Sequence, residues 1–119
     1  MGRPRKRSWK QNQKIETKLR VRLNQALNGG GKIGSAVRSL GCSIEELKTH
    51  LASLFTLGMT HENRGRGDGK WCIDHIIPLD AFDLQDLEQF RIANHFTNLQ
   101  PLWWRQNIVK GAKIPLPGP

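Results

Sequence analysis

The stretch W-C-I-D-H-I-I-P, residues 71–78, constrains this chain more than any other. The run is too short for a buried helix and rich in β-formers, and it ends at Pro78, which has no N–H to give to a ladder. It therefore reads as a short strand that stops at the proline. Asp74 and His75 stand inside it. A strand that buries Trp and Ile gains nothing from a carboxylate and an imidazole, both costly to desolvate, so their purpose has to be read from the chain downstream.

Downstream, D-A-F-D-L-Q-D-L-E-Q-F-R-I-A-N reads as a connection with a helix, capped by Asp83 and turning Leu84, Leu87 and Phe90 inward. T-N-L-Q-P-L-W then reads as a second strand, and W-R-Q-N-I-V-K-G as a closing helix stopped by Gly111. Upstream, Ile15, Leu19, Leu23, Ala26 and Leu27 recur at helical spacing with Lys14, Lys18, Arg20 and Arg22 on the other side, up to the stop at Asn28-Gly29-Gly30-Gly31. A short helix ending at Gly41 leads to a second one with Ser43 as N-cap and Glu46 as its capping-box partner; Leu47, Leu51, Leu54 and Phe55 form its inner face. Residues 61–70 are a Gly-rich charged loop in which Arg64, Arg66 and Lys70 can touch a phosphate backbone, but the spacing of a P-loop is absent.

Charge separates one end of the chain from the other. Residues 1–38 hold 11 Lys/Arg against the single acid Glu16, and the remaining 81 residues are close to neutral, within a net charge of +9. Such a polycationic end tracks phosphates, because each contact releases condensed counterions. The alternatives are an anionic membrane patch or a solvated tail, and no large apolar face accompanies the charges to favour the membrane. Arg3, Arg5, Lys6, Arg7, Lys10, Lys14, Lys18, Arg20 and Arg22 are the candidate nucleic-acid contacts of this end, with Trp9 the aromatic candidate. Cys42 and Cys72 lack CxxC spacing, which argues against a disulfide scaffold or a thiolate zinc cage. No apolar run is long enough to span a membrane and no apolar segment follows the basic start, so the expected location is the cytoplasm, that of the host if the chain is phage-encoded.

D-H-I-I-P, N-L-Q-P-L and N-I-V-K-G together resemble the signature of the HNH endonucleases, the nucleases built on a ββα-metal finger, over residues 71–113. The preceding L-G-C-S-I-E-E-L-K and G-M-T-H-E-N also resemble what precedes that motif in phage and bacterial members. The match implies an α+β fold with an HNH finger, a basic N-terminal helix and a helical hairpin. Its parts would be a disordered basic arm at 1–10, a helical support at 11–60, the nuclease core at 61–113 and a flexible tail at 114–119. It assigns Asp74 and Asn107 to the metal, His75 to the base and Asn98 to tying the loop to the strand and fixing the imidazole, an HNN variant. Cys72, where family members often carry His, is read as peripheral.

These residue types suit phosphodiester hydrolysis. Asp74 and Asn107 offer hard oxygens for Mg²⁺ or Mn²⁺, with Ni²⁺ and Zn²⁺ as further candidates, and leave positions open for phosphate and water. An imidazole can take a proton near neutral pH, and Arg105 and Lys110 can neutralise a phosphate. His95 is read as a structural or phosphate-contacting group, with a second acid or metal ligand as the alternative; His50 and His61 are read as plain polar residues. The expected partner is DNA, with terminase or portal proteins if the role is phage packaging, and no membrane. Two other readings stay open: a non-catalytic DNA-binding module on a degenerate finger, and a ribonuclease.

Overall fold

The computed structural model describes residues 9–29 and 38–110. In chain order these form helix α1 (Trp9–Leu27), helix α2 (Ile44–Ser53), strand β1 (Trp71–His75), helix α3 (Leu87–Asn94), strand β2 (Leu99–Trp103) and helix α4 (Trp104–Lys110). Short 3-10 turns lie at His61–Asn63, Leu79–Ala81 and Phe96–Asn98. The architecture is α+β, with helices packed around one two-stranded antiparallel sheet. No helix among the described residues is long and apolar enough to cross a membrane.

Helix α1 begins at Trp9, so Trp9 and Lys10 belong to the helix and not to an unstructured arm; Arg3, Arg5, Lys6, Arg7, most of the helix before Gly41 and the tail at 114–119 lie outside the described residues. Leu19, Leu23 and Leu27 are buried along one side of α1, as their spacing predicts. Asn12 is also buried, and it is the anchor the apolar pattern misses. Its Nδ2 donates to the Phe82 carbonyl at 2.9 Å and its Oδ1 accepts from Leu84 N at 3.2 Å, which ties α1 to the connection between the strands.

The capping box of α2 forms as expected. Ser43 Oγ accepts from Glu46 N at 3.0 Å and Glu46 Oε1 accepts from Ser43 N at 2.9 Å, a bond that holds the Glu46 carboxyl below its usual range. Leu47 and Leu51 then face a core that includes Leu23, Trp71 and Leu99. Leu54 departs from the expectation: it is the C-cap of α2 and lies exposed, because the helix ends there and the chain turns away. Gly41, just before the cap, has φ +73°, and a Cβ there would meet the His95 ring at 2.5 Å, so glycine is required on both counts.

The strands pair Trp71 with Trp103, Ile73 with Pro101, Asp74 with Gln100 and His75 with Leu99. Trp71 is fully buried, and its indole N–H donates to the Thr60 carbonyl at 2.6 Å. Asp86 rather than Asp83 caps α3, accepting from Gln89 N at 3.1 Å, while Asp83 accepts from Gln85 N two residues on. The reason is local: Asp83 closes an Asx turn that spends its carboxylate before the helix begins. Leu84 therefore reaches the core from the turn, and Leu87, on the first turn of α3, is left exposed.

Candidate active site

Helix α4 follows β2 without a loop and lies against β1. Asn107 and Lys110 are three residues apart on it, about 4.5 Å of rise, and Cys72 and Asp74 are two apart on β1, about 6.6 Å, so the two pairs run side by side. Asn107 Nδ2 donates to Cys72 Sγ at 2.9 Å, and Lys110 Nζ donates to both Asp74 carboxylate oxygens at 2.9 Å. The same ammonium donates to the His75 carbonyl at 2.6 Å. Three oxygens thus converge on one cationic nitrogen. Gln100 Nε2, opposite Asp74 in the register, donates to Asp74 Oδ2 at 2.7 Å. These are the partners that a carboxylate only 5% exposed needs.

His75 takes the other face of the strand and is 6% exposed. Burial, and then the charge of Arg20, push its imidazole down to about 4, with Lys110 adding to the shift and the Asn94 amide opposing it. The ring is therefore neutral at pH 7. Its Nε2 is the buried side-chain nitrogen among the described residues that has no hydrogen-bond partner. Buried polar atoms are nearly always paired, so an orphaned one marks strain or chemistry.

Asn98 does not touch the imidazole. Its Oδ1 accepts from Ile77 N at 2.8 Å, and its Nδ2 donates to the carbonyls of Ile77 at 3.1 Å and Ala93 at 2.9 Å. It clamps the chain leaving β1 to the end of α3, as the loop-tying role expects, while the amide acting on His75 is that of Asn94. Both N–H groups of the Asn98 amide, and its oxygen, are directed at backbone groups of Ile77 and Ala93. His95 Nδ1 lies 2.8 Å from Thr97 Oγ1 and caps the 3-10 turn, a structural arrangement. His50 Nε2 donates to the Leu99 carbonyl at 2.9 Å.

Around this centre the cations are uneven. Lys10, Lys14, Lys18, Arg20 and Arg22 are exposed on α1, and Lys10, Gln13, Lys14, Thr17 and Lys18 line a shallow depression. Burial pushes the Cys72 thiol up, against the Asn107 hydrogen bond and the charges of Arg66 and Arg20, which favour the thiolate. Arg105 is paired with Asp68 at 2.8 Å, an exposed bridge worth little in water. Among the described residues no three His, Cys, Asp or Glu side chains gather as a metal-binding group.

The chain is similar to two mimivirus proteins. It is 31% identical over 96 residues to the uncharacterized protein L426 of Acanthamoeba polyphaga mimivirus, across 81% of this chain and 41% of that protein. It is 32% identical over 91 residues to the uncharacterized protein L246 of the same virus, across 76% of this chain and 38% of that protein. The chain thus spans about two fifths of the length of the curated relatives it matches. No family model and no solved structure matches it.

Three members of the site escape sequence reasoning. Gln100 becomes a partner of Asp74 only once the strand register is known. Asn94 carries no motif, and its only signal is a polar residue on the inner side of α3. Cys72 is not peripheral in contact, since Asn107 reaches its sulfur. The alternation of the strand, which gives positions 72 and 74 one face, is the signal that places it there.

Proposed function

We propose that this chain is a divalent-metal-dependent endonuclease that hydrolyses phosphodiester bonds in DNA through an HNH-type ββα finger over residues 71–110. The observation that carries the reading is the convergence on Asp74. A carboxylate on β1, with a carbonyl oxygen beside it, holds a cationic group delivered from α4, 36 residues on. The order of β1, connection, β2 and α4 supports the same reading.

The donor set fits a hard cation. The two oxygens of Asp74 and the carbonyl of His75 already surround an ammonium, and the same hard oxygens would suit a divalent ion. Asp74 would hold Mg²⁺ or Mn²⁺, with Asn107 on the adjacent turn of α4 as the amide ligand once it leaves Cys72. The bound ion would supply positive charge to the phosphate oxygens as charge builds on them. His75, whose Nε2 has no other partner, accepts a proton from water, the water oxygen attacks phosphorus, and the bond to the 3′ oxygen breaks, leaving a 5′-phosphate and, after that oxygen takes a proton, a 3′-hydroxyl. Asn98 positions the segment after His75. The exposed cations of α1 and the net charge of +9 hold the DNA backbone without reading bases.

One observation favours a second reading, a DNA-binding module without catalysis: Lys110 already neutralises Asp74, and His75 is buried. Supercoiled plasmid incubated with Mg²⁺, Mn²⁺, Ni²⁺ or Zn²⁺, with a chelator control, separates the two. The nuclease nicks in at least one metal, and His75→Ala loses about 100-fold or more of that activity. Plasmid equally intact with wild type and variant in every metal would overturn the enzyme reading, and metal-free binding that weakens with salt would then favour the module.

A further inference from the structure

We infer, on the metal-dependent reading above, that Lys110 is the resting counterion of Asp74 and leaves it when a divalent cation binds, so that the two cations exchange at one oxygen cage. The Asp74 side chain is 5% exposed and that of Lys110 is 14% exposed. A carboxylate this buried needs a positive partner, and Lys110 provides it, with Gln100 satisfying a further lone pair.

Lys110 Nζ occupies the point where the Asp74 and His75 oxygens meet, at 2.6–2.9 Å. A second cation cannot enter that point without strong repulsion, so binding is displacement and not addition. The ammonium is the partner built to move. It ends a flexible four-carbon stem, it sits in the last turn of α4, and it keeps a route to water that the carboxylate lacks. Once released it is an unpaired cation beside the site, a position suited to a phosphate oxygen. Apparent metal affinity is lowered by whatever Lys110 contributes in the resting state.

The test is the labelling of the Lys110 amine by an acylating reagent, read by mass spectrometry on the full chain, with and without Mn²⁺. The ion should raise Lys110 labelling several-fold while Lys14 and Lys18 stay unchanged. Labelling that does not respond to saturating Mn²⁺ overturns the exchange. Calorimetric titration with Mn²⁺ gives an independent reading: Lys110→Met should melt earlier than wild type in chelator yet bind Mn²⁺ about tenfold tighter or more. Equal or weaker Mn²⁺ binding by Lys110→Met overturns the exchange, as does binding by neither protein. The outcome is separable from catalysis: uncut plasmid with Mn²⁺-dependent labelling sinks the nuclease alone, and cut plasmid with unresponsive labelling sinks the exchange alone.

Discussion

Asn98→Ala is the substitution whose cost the structure specifies best. The residue is 8% exposed, and its side chain satisfies the N–H of Ile77 and the carbonyls of Ile77 and Ala93. Ile77 is 42% exposed, so water can replace the amide there, and each of those two bonds is worth about 1 kcal/mol net. Ala93 is fully buried, and stranding its carbonyl costs about 2 kcal/mol. The sum is a loss of roughly 4 kcal/mol, a large share of the 5–15 kcal/mol typical of a small domain. At about 4 °C per kcal/mol the melting point should fall by about 15 °C. Urea unfolding followed by tryptophan fluorescence reads it, because Trp71 is fully buried in the core. Asn98→Asp should be no better than Ala, since it retains the acceptor for Ile77 N but turns a carboxylate toward two carbonyls. A loss below about 1 kcal/mol with an unchanged denaturant slope would refute the clamp.

Two further outcomes follow from the charges. His75 is held down to about 4 from 6.5, so between those values the unfolded chain binds more protons than the folded one and stability falls as pH drops. The loss attributable to this residue approaches about 3 kcal/mol by pH 4, and His75→Gln should flatten that part of the stability profile; parallel profiles would contradict the buried neutral ring. On the proposed DNA-binding reading, replacing both Lys14 and Lys18 by Gln should make the salt dependence of DNA affinity shallower by about 2 in log–log slope, while Arg91→Gln on α3 leaves it unchanged. Equal slopes for all three proteins would remove α1 from the interface.

Much of the local structure was legible because it depends on neighbours in sequence. The strand ending before Pro78, the capping box at Ser43 and Glu46, and the apolar side of α1 are all governed by contacts within four residues. Where two local signals competed, sequence chose wrongly. Asp83 and Asp86 are both able to cap α3, and the Asx turn at Asp83 decided between them. Leu54 and Leu87 fit an apolar stripe, but each stands at a helix end where the stripe has already turned away from the core.

The chemistry divides along the same line. Sequence alone determined that Asp74 and His75 stand within an apolar strand, where burial of such groups is costly, and so marked them as residues with a purpose. It could not say which groups would answer. That Gln100 and Lys110 take Asp74, that Asn107 reaches Cys72, and that Asn94 rather than Asn98 acts on the imidazole depend on strand register and on the path of α4 across β1. Those are set by packing between segments 19 to 36 residues apart, where a shift of one residue exchanges the two faces of the strand. Residue types carry the capacity for chemistry, and tertiary contacts decide which groups meet.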